Sequence, residues 1–176
     1  MDTQQPDTKT VTALFAEAVA APSMHNAQPW RFRFKASEGV LLLLADLERA
    51  MPHSDPDNRA LRIGCGAALF NLRVAAAHAG FAPLVQLLPD PAEPRLLAAV
   101  QLREAGRPAS DEEDLSRLHP AIRERHTSRH PFEEKHIPAD VQAALQRAAN
   151  RGSRAAVPRR LAHGNRAGTG PRCREP

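Results

Sequence analysis

Pro22 and Pro29 bracket the segment that most restricts how this chain can fold. Each proline fixes its own φ and biases the residue before it toward extended geometry, so neither a helix nor a central strand passes through 22–29. Ahead of it, Val11, Leu14, Phe15, Ala18 and Val19 recur at helical spacing across 10–20. Behind it, Phe32 and Phe34 alternate with Arg31, Arg33 and Lys35 in a strand pattern. A helix must therefore stop, a stiff loop must turn, and a strand must begin. The loop carries Ser23, His25, Asn26 and Gln28, and the only tryptophan, Trp30, follows it. As a binding loop it would offer donors and acceptors that it does not itself use up. A carboxamide presents both kinds together, which suits the edge of a flat heterocycle. The same residues also read as a turn that caps the next element and seats Trp30 in the core.

The remainder alternates strand and helix signals. Residues 40–45, Val-Leu-Leu-Leu-Leu-Ala, predict a strand covered on both faces. Ser54-Asp55-Pro56-Asp57 predicts a helix start, and Gly80 predicts its end near Ala79. The Gly64-Cys65-Gly66-Ala67-Ala68 run inside that helix lacks the third glycine and the preceding strand of a dinucleotide fingerprint. Its small residues instead allow another backbone to approach closely. Residues 81–88 and 95–102 predict two more strands across the turn that begins at Pro89, and Ser110 opens a short helix to about Leu118. A last helix opens at 139, with Val141, Ala144, Leu145 and Ala148 on one side. The fold class is α+β, with helices packed on a mostly antiparallel sheet.

At 176 residues the chain holds one ordinary domain, placed at 1–150. Aromatics make up only 4% of it and alanine is abundant, which predicts a thin core. The formal charge of +4 divides unevenly: residues 151–176 hold seven arginines and one acid, net +6, and the rest has 17 basic and 19 acidic residues, net −2. A basic face for nucleic acid is therefore not indicated in the body, and 151–176 reads as a disordered basic tail. No apolar run approaches the ~20 residues that span a bilayer, and the first residues lack signal-peptide order, so no membrane partner is expected and the expected location is cytoplasmic. Cys65 and Cys173 lie in unlike contexts, which argues against a disulfide. His126 and His130 would share a face only on a helix, which Pro131 disfavours, so no metal site is expected.

A second polar stretch, Arg123-Glu124-Arg125-His126-Thr127-Ser128-Arg129-His130-Pro131-Phe132, offers guanidinium donors suited to a phosphate. Its other reading is an exposed basic loop. Taken together, Ala21-Pro22-Ser23, Asn26 and Gln28-Pro29-Trp30-Arg31-Phe32 resemble the loop that nitroreductase-like FMN flavoproteins place against the flavin. Arg125, His126, Thr127 and Arg129 are similar to the signature that holds the FMN phosphate and ribityl chain in that family. The His25-Asn26 form resembles the Acg-like branch, in which two nitroreductase-type halves are fused.

The resemblance covers roughly 12–149. It implies a nitroreductase-like fold with FMN as cofactor, NAD(P)H as reductant, a small-molecule nitro or quinone acceptor, and a site between two halves or in a homodimer. Ser23, His25, Asn26, Gln28, Arg125, His126, Thr127 and Arg129 are its cofactor-binding positions, and no side chain need be catalytic because the flavin carries the chemistry. The alternative is a protein that binds or sequesters FMN without turnover. Against the resembling proteins the second half starts and then gives way to the basic tail, so the reading is of a truncated or frame-shifted chain with an incomplete second half.

Overall fold

The computed structural model describes residues 6–104, 115–131 and 133–156. Helix α1 spans Thr8–Ala18. Asp7 caps it, its carboxylate accepting from the Thr10 amide at 2.7 Å. After the 22–29 loop, β1 (Trp30–Lys35) and β2 (Val40–Ala45) form an antiparallel hairpin, with Trp30 opposite Ala45 and Lys35 opposite Val40. Gly39 takes a φ of 65° in the turn, which glycine adopts without strain.

Helix α2 spans Arg59–His78, starting later than the capping signal at Ser54 predicts. The reason is that Asp55 reaches forward past Pro56, its carboxylate accepting from Ala60 N at 3.0 Å and Leu61 N at 2.9 Å, while Asn58 sits in the left-handed region. Strands β3 (Phe81–Leu87) and β4 (Leu96–Glu104) complete one antiparallel sheet in the order β1-β2-β4-β3. A short helix α3 follows at His119–Glu124. The helix expected to open at Ser110 has its start outside the described residues.

Helices α1 and α2 close over one face of the sheet. Val11, Leu14 and Ala18 meet Leu61, Cys65, Ala68, Leu72 and Ala76 above Leu41, Leu43, Val100 and Leu102, all of them buried. Phe15 stacks on Phe32 with ring centroids 5.1 Å apart. The largest fully buried side chains are Leu41, Leu43, Leu72, Val74, Val100 and Cys65, so the core is as thin as the composition implies. Burying each leucine stabilises the fold by roughly 1.5–3 kcal/mol, and among the described residues no large aromatic is fully buried to add more.

The expectation that β2 is covered on both faces needs correction. Leu41, Leu43 and Ala45 are buried, while Val40, Leu42 and Leu44 are only half-buried. Helices α1 and α2 lie on the same side of the sheet, so the continuous apolar run packs fully on one face alone. Helix α2 is long and apolar enough to cross a membrane, yet it is the core helix, with Leu61, Cys65, Leu69, Leu72 and Val74 among its buried residues.

The described residues fall into two compact units, one through Glu133 and a second from Glu134. In the second unit α4 spans Ala139–Ala156, so the helix carries on into the stretch read as tail. Residues 157–176, and with them most of the expected disordered tail and Cys173, lie outside the described residues. On α4, Val141 is 42% and Leu145 60% exposed.

Candidate functional site

The 22–29 loop is held in a conformation that few sequences adopt. His25, Asn26 and Gln28 have φ of 50°, 56° and 50°, in the left-handed region that disfavours side chains. Each such residue costs on the order of 1 kcal/mol, asparagine least, and persists only where its surroundings over-determine it. Those surroundings are identifiable. Ser23 Oγ accepts from Gln28 N at 2.9 Å, Ser23 O from Asn26 N at 3.0 Å, and Met24 O from Ala27 N at 3.0 Å. Gln28 O then accepts from Trp30 N at 2.9 Å as the chain enters β1.

Two further elements grip the loop from below. The Pro29 carbonyl accepts from Asp46 N at 3.0 Å and from the Cys65 thiol at 3.2 Å. Gly64 of α2 faces the loop, where an added Cβ would lie 3.4 Å from Ser23 Cβ and 3.8 Å from Pro29 Cδ. Trp30 is buried beside it, with Cζ3 3.7 Å from the same position. The turn-and-core reading of Trp30 and the binding reading of the polar residues are thus compatible: proline and tryptophan anchor, and the tip faces out.

The polar side chains are less available than expected. Ser23 Oγ is engaged by Gln28 N, and Gln28 Nε2 donates to Asn26 Oδ1 at 3.3 Å. The loop therefore uses part of its own hydrogen-bonding capacity, because left-handed residues need side-chain bonds to hold them. Ser23 keeps its O–H as a donor, Asn26 its amide and Gln28 its carbonyl. His25 and Asn26 are exposed.

The second stretch is an exposed, extended segment leaving α3. Arg125 Nη1 donates to Thr127 Oγ1 at 3.1 Å, and the Ser128 hydroxyl accepts from His130 N at 3.3 Å. Arg125 and Arg129 make no ion pair with a carboxylate among the described residues. His126 is exposed too, and Phe132 lies outside the described residues. Helix α3 is fixed to the body at the far end of α2: His119 stacks on His78 with centroids 3.8 Å apart, and Arg123 grips Glu17 through two bonds of 3.1 and 2.8 Å. That guanidinium holds the Glu17 carboxyl below its ordinary range.

Helix α3 starts beside His78, and its other end, from which 125–129 leaves, is tied by Arg123 to Glu17 near the end of α1. No hydrogen bond or ion pair joins 22–32 to 125–129 among the described residues.

Sequence reasoning missed the charged group beneath the loop. Asp46 is 6% exposed and holds Arg31 Nε at 2.9 Å and Arg49 Nε at 3.5 Å. The Arg31 guanidinium keeps its carboxyl below the usual range. Arg49 Nη1 in turn donates to Ala27 O at 3.2 Å. A crevice lined in part by Met24, Ala27, Arg49, Met51 and Leu61 lies alongside. Nothing in the spacing of 46–49 signalled this, because the contact spans 22 positions. Burial pushes the Cys65 thiol up to about 11, so it is an inert donor rather than a nucleophile.

In kind, the donor set fits FMN: carboxamides, a hydroxyl and an imidazole on a rigid loop, and guanidinium groups without carboxylate partners on the arm. No family model matches the chain. By sequence it is 35% identical over 153 residues to "Putative NAD(P)H nitroreductase Rv3131" of Mycobacterium tuberculosis, covering 86% of this chain and 43% of that protein. It is 37% identical over 134 residues to "Putative NAD(P)H nitroreductase acg" of the same organism, covering 73% of this chain and 39% of that protein. A crystal structure of a "putative nitroreductase in complex with fmn" from Desulfovibrio desulfuricans is similar at a TM-score of 0.47 and 18% identity, over 78% of this chain and 90% of that one. Through most of its length this chain is a homologue of the Acg-like nitroreductase proteins, and it spans about two fifths of the length of those curated relatives.

Proposed function

We propose that this chain works in an FMN-dependent oxidoreductase of nitroreductase type, passing a hydride from NAD(P)H by way of FMN to a small nitro or quinone acceptor in the cytoplasm. The observation that carries this reading is the 22–29 loop, in which three non-glycine residues are held left-handed by named bonds while His25 and Asn26 stay exposed. Strain of this kind concentrates where a surface must be preorganised for a ligand. The names of the sequence relatives supply the chemical class.

When bound, the flavin would supply the hydride chemistry. The chain's own residues bind and orient it. Ser23, His25, Asn26 and Gln28 would address the ring system and ribityl chain with neutral donors and acceptors. Arg125, His126, Thr127 and Arg129 would address the phosphate, where guanidinium groups make charge-assisted bonds. The reading pairs two copies, each lending its loop to the other's arm.

A second reading is FMN held without turnover, with the same exposed polar groups of the loop and arm as its contacts. The absorbance spectrum of the purified protein tests the cofactor, and addition of NADPH under anaerobic conditions tests the chemistry. A flavin band that bleaches supports the oxidoreductase. A flavin band that persists supports the second reading, and a colourless protein that takes up no added FMN overturns both.

A further inference from the structure

We infer that Arg49 is a positioning residue for the 24–28 loop, coupling the conformation of that loop to the buried Asp46 carboxylate. Asp46 closes the turn after β2 and is nearly inaccessible to solvent. Its Oδ2 is shared by two guanidinium groups. Arg31 Nε takes the nearer place at 2.9 Å and is further held by Glu48 Oε2 through Nη2 at 2.6 Å. Arg49 Nε takes the longer place at 3.5 Å. Arg49 is therefore the less tightly held of the two guanidinium groups at Asp46, and its side chain is 55% exposed.

What fixes it is the loop. Arg49 Nη1 donates to the Ala27 carbonyl at 3.2 Å, and Ala27 lies between Asn26 and Gln28, two of the left-handed residues. The loop's internal bonds involve the Asn26, Ala27 and Gln28 amides and the Ser23 hydroxyl, and none of them engages the Ala27 carbonyl. Arg49 therefore ties the strained tip to the sheet from outside. A guanidinium can bond a carboxylate and a carbonyl at once because its donors are fixed in a planar fork, which an ammonium lacks. The residue also borders the crevice between the loop and the first turn of α2.

The test compares the intact chain with Arg49→Lys and Arg49→Ala by amide hydrogen exchange, with FMN titration in parallel. Expected in Arg49→Ala is exchange at the Asn26, Ala27 and Gln28 amides faster by roughly tenfold, with the strand amides, such as Ala45 N bonded to Arg95 O, unchanged. Arg49→Lys should restore part of the protection. Equal exchange in all three proteins overturns the inference, and so does acceleration spread evenly over sheet and loop, which would mark a general contribution to stability.

The flavin arm rests on the reading above: FMN affinity should fall in the order wild type, Arg49→Lys, Arg49→Ala. If the wild type binds no FMN, the flavin reading fails and the exchange data still decide the role of Arg49.

Discussion

A Cβ built on Gly64 would stand 3.4 Å from the Cβ of Ser23, which makes the central helix the floor of the strained loop. Two residues on, the corresponding position at Gly66 meets nothing within 4 Å among the described residues. The two glycines should therefore respond differently. Gly66→Ala should stabilise the protein by about 0.5–1 kcal/mol through helix propensity alone. Gly64→Ala should remain close to neutral, and Gly64→Leu should destabilise by about 1–3 kcal/mol through overpacking while shifting the emission of Trp30. Urea melts followed by circular dichroism measure all three, and a Gly64→Leu protein as stable as wild type would contradict the packing.

The Cys65 thiol should resist alkylation at neutral pH. It is buried, protonated and donating to the Pro29 carbonyl. Iodoacetamide followed by peptide mapping should leave the Cys65 peptide unmodified in the native protein and label it fully in urea. Cys65→Ala should cost about 1 kcal/mol, since Pro29 O keeps its second donor, Asp46 N.

Acid should unfold the body through three carboxyls. Asp55 is held below its ordinary value by the amides of Ala60 and Leu61, Asp46 by Arg31, and Glu17 by Arg123. Each binds its proton more weakly folded than unfolded, so its contribution is fully present above the unfolded value near pH 4 and is lost as pH falls through the lower folded value. The thermal midpoint should be flat from about pH 5 upward on this account and fall below pH 4. Asp55→Asn should lower the plateau and flatten the acid limb; an unchanged acid limb would remove Asp55 from the explanation.

If the phosphate reading is correct, Arg129→Ala should weaken FMN binding by about 1.5–3 kcal/mol, and Arg129→Lys by less. The charge survives in lysine but the paired donors do not. Flavin fluorescence titration of the three proteins provides the comparison, and identical affinities would exclude Arg129 from the phosphate end.

Local pattern made much of the fold legible. Proline at 22 and 29, alternation through 31–35 and small residues through 64–68 are signals of neighbouring positions, and the loop, β1 and the close approach at Gly64 follow from them. Helix α2 begins later than the 54–57 signal predicts because Asp55 caps across Pro56 instead of beside it.

By itself the sequence determined where the chain must turn, which runs are strand or helix, and that the core would be thin, because these depend on φ restriction, side-chain period and side-chain volume. Only the tertiary structure decided which face of β2 is covered, that Asp46 and Arg49 brace the loop, and that Arg123 ties the start of the 125–129 segment to Glu17. Those outcomes depend on which elements share a side of the sheet and on contacts between distant positions, such as Ala27 with Arg49 and Glu17 with Arg123, and no periodicity in a single sequence encodes such pairings.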